Sequence, residues 1–227
     1  MAQIVVMSLG GSLIAPDKID IEFLTKFRRL ILKFTEANNR VIIICGGGNT
    51  AREYQAVAKK INPQVSARDL DWVGIAATRI NGELVSAIFD HIAHESILRD
   101  PTKKIISEKK IIIGAGWLPG HSSDKDAVQA AKAFGAKTVI NLSNIKYVYD
   151  KDPNKFKDAK PQKQMSWKEF LKLVGNQWQP GAHVPFDPVA SHLASKYKMK
   201  LVVLNGSNLN NLEQFLAGKK FTGTVVN

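Results

Sequence analysis

The chain has 227 residues, 32 basic against 20 acidic side chains, 44% hydrophobic residues and one cysteine, which suits one globular domain or two tightly fused lobes and excludes general disorder. A single cysteine closes no intramolecular disulfide and completes no cysteine-based zinc site, so the stapled secreted scaffold and the zinc finger are both removed. The net charge of +12 suits a phosphate-rich partner, nucleic acid or small phosphorylated ligand, but the lysines are scattered rather than gathered on one helix with interleaved aromatics.

Ile4 to Leu9 (IVVMSL) is a β-branched, nearly continuous apolar run, the pattern of a strand covered on both faces. It ends on Gly10-Gly11-Ser12. In IEFLTKFRRLILKFTEA, Phe23, Phe27, Leu30, Ile31 and Phe34 recur at three- and four-residue spacing, which marks one buried helical face. A second strand, Val41 to Cys45 (VIIIC), runs into Gly46-Gly47-Gly48-Asn49, and helices are expected over Thr50 to Lys60 and Leu70 to His91. Ile111 to Ile113 is the third strand. It leads through Gly114-Ala115-Gly116 to Pro119-Gly120-His121-Ser122-Ser123 and a helix over Lys125 to Phe134. Thr138 to Leu142 (TVINL) is the next strand, and the charged, proline-bearing stretch Asp150 to Gln164 has no periodicity and reads as an exposed loop. Helices over Ser166 to Leu173, Pro188 to Lys198 and Leu209 to Leu216, with a strand at Leu201 to Leu204 (LVVL), complete the chain. This alternation predicts an α/β fold with a mostly parallel sheet. No apolar run reaches the roughly 20 residues of a membrane span and the start carries no basic n-region, so a cytoplasmic protein is expected.

Three glycine-rich segments therefore follow predicted strands. In an open α/β sheet ligands bind beyond the carboxyl ends of the strands, where glycine lets backbone N–H groups approach phosphate oxygens. One such turn is explained by chain reversal alone; three together point to one polyphosphate site. Neither G-x-x-x-x-G-K-[ST] nor a complete G-x-G-x-x-G is present, since Pro119 holds the place of the last glycine. The pattern that remains is a phosphoryl-transfer site of another design.

SLGGSL, GGGNTAREY, DWVGIAATRING, PGHSSD and YVYDKDP occur in the order and spacing of the amino acid kinase superfamily, and the chain resembles its archaeal-type uridylate kinase branch down to FDPVASHLA and GTVV. The resemblance implies a three-layer αβα sandwich with a mostly parallel central sheet. It also implies transfer of the γ-phosphoryl of ATP to UMP with Mg2+, and a homo-oligomer, a hexamer built from dimers with the Leu70 to Phe89 region as a contact. An acceptor-binding lobe is expected over about residues 1–141 and an ATP-binding lobe over 142–227, with no membrane partner and with nucleic acid disfavoured as one.

By the same resemblance, Gly10, Gly11, Ser12 and Gly48 match the backbone that holds the ATP phosphates, and Gly47 matches a contact to UMP. Arg52, one turn beyond the glycines, matches a phosphate-binding arginine, a planar cation with five donors. Asp71 matches the acceptor-nucleoside carboxylate, a double acceptor for ribose hydroxyls. Trp117, Leu118, Pro119, Gly120, His121, Ser122 and Ser123 match the UMP-binding loop, with Trp117 where a threonine is usual. The ATP nucleoside is matched by Ser143, Asn144, Tyr149 and Asp152, with Lys146-Tyr147 replacing the usual Asp-Gly.

Phosphoryl transfer needs positioning and charge neutralisation more than covalent participation. Arg52, Asp124 and Asp187 are the expected catalytic group, the aspartates orienting metal-bound water or a cation, or else capping helices. Many superfamily members carry a lysine just before the first glycine pair; this chain has Ser8, which leaves Arg52, the metal and helix N-termini as sources of positive charge. The residues that hold the metal are not identified by the sequence. His91 and His94, at i and i+3, lack a third ligand. Two alternatives stay open: a superfamily kinase for another small acceptor, and a nucleic-acid-binding protein on a decayed kinase scaffold.

Overall fold

The computed structural model describes residues 2–153, 155–176 and 184–227. In chain order the elements are β1 (Ile4–Leu9), α1 (Gly11–Ile14), α2 (Ile21–Glu36), β2 (Arg40–Cys45), α3 (Gly48–Ile61), α4 (Ala67–Phe89), β3 (Ile111–Gly114), α5 (Ser123–Phe134) and β4 (Thr138–Ser143). Then follow β5 (Val148–Tyr149), β6 (Pro161–Gln162), β7 (Gln164–Met165), α6 (Trp167–Val174), α7 (Pro188–Lys196), β8 (Lys200–Asn205), α8 (Leu209–Leu216) and β9 (Thr224–Val226).

One seven-stranded sheet has the order β3-β2-β1-β4-β8-β9-β7. The first five of these strands are parallel, and β9 runs antiparallel to β8 and parallel to β7. As the sequence predicts, residues on both faces of the parallel strands are buried. Val5, Met7 and Leu9 of β1 join Phe27, Ile31, Val85, Phe89 and Leu212 on one side, under α2, α4 and α8. Val6 of β1 joins Val128, Phe134, Phe170 and Ala190 on the other, under α5, α6 and α7. The result is a three-layer αβα sandwich.

The predicted stripe of α2 is confirmed: Phe23, Phe27, Ile31 and Phe34 are buried and Leu30 packs against them. Several boundaries move for local reasons. α4 begins at Ala67 because the Ser66 side chain accepts from the Asp69 N–H, and it stops at Phe89, with His91 in a 3-10 turn. Ser166 is the cap of α6 rather than its first residue, closing a reciprocal capping box with Glu169. α7 ends before Lys198, whose φ of 52° is left-handed. The stretch expected to be a loop over Asp150 to Gln164 contains β6 and the start of β7; Asn154 within it lies outside the described residues. These strands, like α1 and β9, are too short to show a period. α3 is exceptional in having no buried residue, because it packs on α4 away from the sheet.

Candidate active site

The chain leaves β1 toward β2 and β3 on one side, and β4 leads to β8 on the other. The crevice beyond the carboxyl ends of β1 and β4 is thus the point where the strand order reverses, the place where open α/β sheets bind ligands. The Gly10 N–H bridges it, donating to Leu142 O at 3.2 Å. The first two glycine turns lie directly against each other here. A Cβ on Gly11 would strike Gly46 O at 2.5 Å and also the Gly48 N, while one on Gly48 would strike Ser12 N at 2.5 Å. Gly48 also has φ +60°, so glycine is required there by conformation as well as by space.

A cavity of about 430 Å³ opens beside this contact, between α3, α4 and the loop after β3. Gly47, Asp71, His121, Ser122 and Ser123 line it, so the structure gathers these five of the predicted acceptor residues around one space. A larger groove, about 690 Å³, lies between α2 and α4 with none of these residues in it.

Asp71 does more than face the cavity: its Oδ2 accepts from the Gly120 N–H at 2.7 Å, tying α4 to the loop where Gly120 adopts φ +77°. Ser122 is the cap of α5, its Oγ accepting from the Lys125 N–H at 3.1 Å. Leu118 is exposed, and Trp117 is fixed through its N–H, which donates to Asp126 Oδ2.

Several residues that position the cavity were given no role by the sequence, although Thr78 and Asn81 lie within DWVGIAATRING. Thr78 Oγ1 accepts from the Gly116 N–H at 2.8 Å, and the buried Asn81 donates to Gly46 O at 2.8 Å. Gln55 Nε2 donates to Leu70 O, joining α3 to α4. A further signal in the sequence was spacing, since Asp71, Ile75 and Thr78 recur on one face of a helix.

Asp124, in the first turn of α5, takes the Ser8 hydroxyl on Oδ1 at 2.8 Å and the Asp187 N–H on Oδ2 at 3.1 Å. Where the resemblance expects a lysine, this chain thus offers a neutral donor. Burial pushes the Asp124 carboxyl from 3.8 up to about 6, against the lowering effect of these two hydrogen bonds, and the charge of Asp187 adds to the rise. Its folded-state affinity for a proton exceeds that of the unfolded chain, so its stabilising contribution is full below about pH 3.8 and is lost as pH rises through 6. Asp124→Asn is therefore expected to gain stability relative to the parent between pH 4.5 and 7. Urea unfolding at both pH values checks this, and a pH-independent difference would contradict it.

Asp187 is 5% exposed and caps α7, its Oδ1 accepting from the Ala190 N–H at 2.7 Å. Arg52 stands at the start of the second turn of α3, exposed, with Nη2 donating to Asn49 Oδ1. It borders a second hollow with Pro16, Asp17 and Glu53 rather than the cavity around Asp71. On the other side of the crevice, Ser143 Oγ ends β4 buried and without a hydrogen-bond partner among the described residues, Asn144 follows it, and Tyr149 lies in β5. Asp152 follows shortly after, its carbonyl accepting from the Lys155 and Phe156 N–H groups. Among the described residues no group of three or more His, Cys, Asp or Glu side chains could hold a metal ion, and no helix is long and apolar enough to cross a membrane. Cys45 is buried, which pushes its thiol up and leaves it inert.

Residues 3–205 match the amino acid kinase family. The chain is 31% identical over 227 residues to the uridylate kinase of Methanococcus aeolicus, covering 98% of this chain and 99% of that one. It is 32% identical to the uridylate kinase of Pyrococcus abyssi, covering 98% of each. Its structure is similar to the crystal structure of uridylate kinase from Archaeoglobus fulgidus, with a TM-score of 0.84, 28% identity, and coverage of 98% of this chain and 99% of that chain.

Proposed function

The chain belongs to the amino acid kinase family, and from that premise we propose that it is a uridylate kinase, transferring the γ-phosphoryl of ATP to UMP to give UDP and ADP. The observation that carries the reading is the single cavity that gathers Gly47, Asp71 and residues 121–123 beside the paired glycine turns. In it UMP lies with its ribose toward Asp71 and its phosphate toward the crevice. ATP occupies the opposite side, its phosphates along Gly10, Gly11, Ser12 and Gly48 and its nucleoside by Ser143, Asn144, Tyr149 and Asp152. The acceptor and the ATP phosphates then lie on residues up to about 141 and the ATP nucleoside on those from 142, although both parts share one sheet.

The reaction asks for little beyond alignment and charge compensation. Backbone N–H groups at the starts of α3 and α5 supply fixed positive dipoles. Arg52 adds a cation on release from Asn49. Magnesium bound with ATP would neutralise phosphate charge, and Asp124, placed at the crevice, is the carboxylate that would hold the ion or its waters. Asp187 holds Asp124 through its N–H and caps α7 with its side chain.

An ADP-release assay across UMP, CMP, dUMP and isopentenyl phosphate with magnesium-ATP tests the reading. The expected result is a kcat/KM for UMP at least about ten-fold above the others, or 1.4 kcal/mol; a larger value for any non-uridine acceptor would refute it. The reading includes a homo-oligomer, supported by the apolar α2–α4 groove with Ile21, Leu24 and Ile88. Sedimentation at micromolar concentration should give a multiple of 25.1 kDa, and a monomer would remove that part alone.

A further inference from the structure

α5 opens with two aspartates in different surroundings. Asp124 is engaged by Ser8 and the Asp187 N–H. Asp126 is fully buried and belongs to a separate arrangement, in which Oδ2 accepts from the Trp117 N–H and Oδ1 lies 3.0 Å from His121 Nδ1. A buried carboxylate is costly unless its oxygens are filled, so both bonds are firmly held.

A carboxylate only accepts hydrogen bonds, so the Asp126 contact places an imidazole proton on Nδ1, and with that tautomer it is Nε2 that carries the lone pair. The Trp117 ring stands edge-on to His121, with centroids 5.2 Å apart and planes at 86°, and fixes its tilt. Trp117 therefore gives a packing contact at a position where a hydroxyl was expected. Neither Trp117 nor Asp126 lines the cavity, but His121 does, alongside Asp71 and Gly116. Two residues outside the cavity thus set the tautomer and orientation of one inside it, as carboxylates do for histidines in catalytic and metal sites.

We propose that His121 is a specificity-determining contact to the acceptor base and that Asp126 is the positioning residue that aims it; this rests on the reading of the cavity as the acceptor site. The Nε2 lone pair takes a donor, which a uracil-type base offers as its ring N3–H. A neutral cytosine base presents a lone pair at the same place. The arrangement accepts UMP and disfavours CMP.

The test is steady-state kinetics with UMP and CMP on the parent enzyme, Asp126→Asn, His121→Ala and the double variant, together with 15N imidazole NMR. Asp126→Asn keeps the shape but can turn its amide N–H toward Nδ1 and reverse the tautomer. We expect the KM for UMP to rise about ten-fold or more, the KM for ATP to stay unchanged and the UMP-to-CMP preference to shrink, with no further effect of Asp126→Asn when His121 is already alanine. The parent ring should show a protonated Nδ1, with an Nε2 signal that moves on adding UMP. An unchanged UMP-to-CMP ratio in Asp126→Asn, or the same loss in the His121→Ala background, overturns the proposal. Should Asp126→Asn fail to fold, His121→Ala carries the same ratio test, because the Trp117 N–H anchor is left intact. A parent enzyme that turns over no UMP counts against the functional reading instead, and an Nε2 signal indifferent to UMP overturns the proposal even then.

Discussion

Gly48→Ala is expected to cost about 2–5 kcal/mol of stability and to remove most of the phosphoryl-transfer activity. Two independent terms add. The φ of +60° costs an L residue about 1–2 kcal/mol, and the new Cβ would press into the backbone of Gly11 and Ser12, an overpacking of about 1–3 kcal/mol. Because the neighbouring atoms are backbone, they yield only by displacing the turn that follows β1, and with it the N–H groups aimed at the crevice. Gly120→Ala is the control: its φ is +77° but no described residue lies within 4 Å of the added Cβ, so only the conformational term of about 1–2 kcal/mol applies. Gly11→Ala supplies the steric term without a positive φ. Urea unfolding of the three variants with kcat for each decides the matter, and a Gly48→Ala protein within about 1 kcal/mol of Gly120→Ala would show that the turns tolerate separation.

Asp71→Ala should raise the KM for UMP by about 10- to 100-fold, or 1.4–2.8 kcal/mol, the range for losing a hydrogen bond to a charged group, while the KM for ATP changes less than about three-fold. The acceptor loses a carboxylate oxygen, and the loop loses the anchor on the Gly120 N–H, 2.7 Å from Asp71 Oδ2. Asp71→Asn separates the two, since its amide oxygen can keep the loop in place without the charge. If the anchor dominates, Asn restores the parent KM; if recognition of the ribose dominates, it restores little. Equal losses of UMP and ATP affinity in Asp71→Ala would instead indicate a general defect of folding.

These expectations rest on parts of the molecule that were legible to different degrees. The five parallel strands, the α2 face through Phe27 and Ile31, and the glycine turns after β1, β2 and β3 could all be read along the chain. Asp71 and the loop of residues 117–123 were legible through resemblance, and the cavity unites Asp71 with His121, Ser122 and Ser123. Arg52 faces Asn49 and a different hollow, so the role expected for it would require its side chain to move.

What the sequence determined by itself is what local pattern can encode: apolar runs with no water-facing side become interior strands, and three- to four-residue spacing marks the covered face of a helix. What only the tertiary structure decided is every relation that joins distant segments. A glycine looks the same in sequence whether it leaves room for a phosphate or for another backbone, and only the packed turns show that Gly11 and Gly48 first make room for each other. Ser8 and Asp124 lie 116 residues apart and meet because β1 is paired on both sides while α5 packs across it. Asp126 reads as one more charge at a helix start until burial against Trp117 and His121 gives it two donors to satisfy. The physical reason is common to all three: periodicity records which side of an element is dry, whereas the partner on that side is chosen by strand order and by the space left once the layers close.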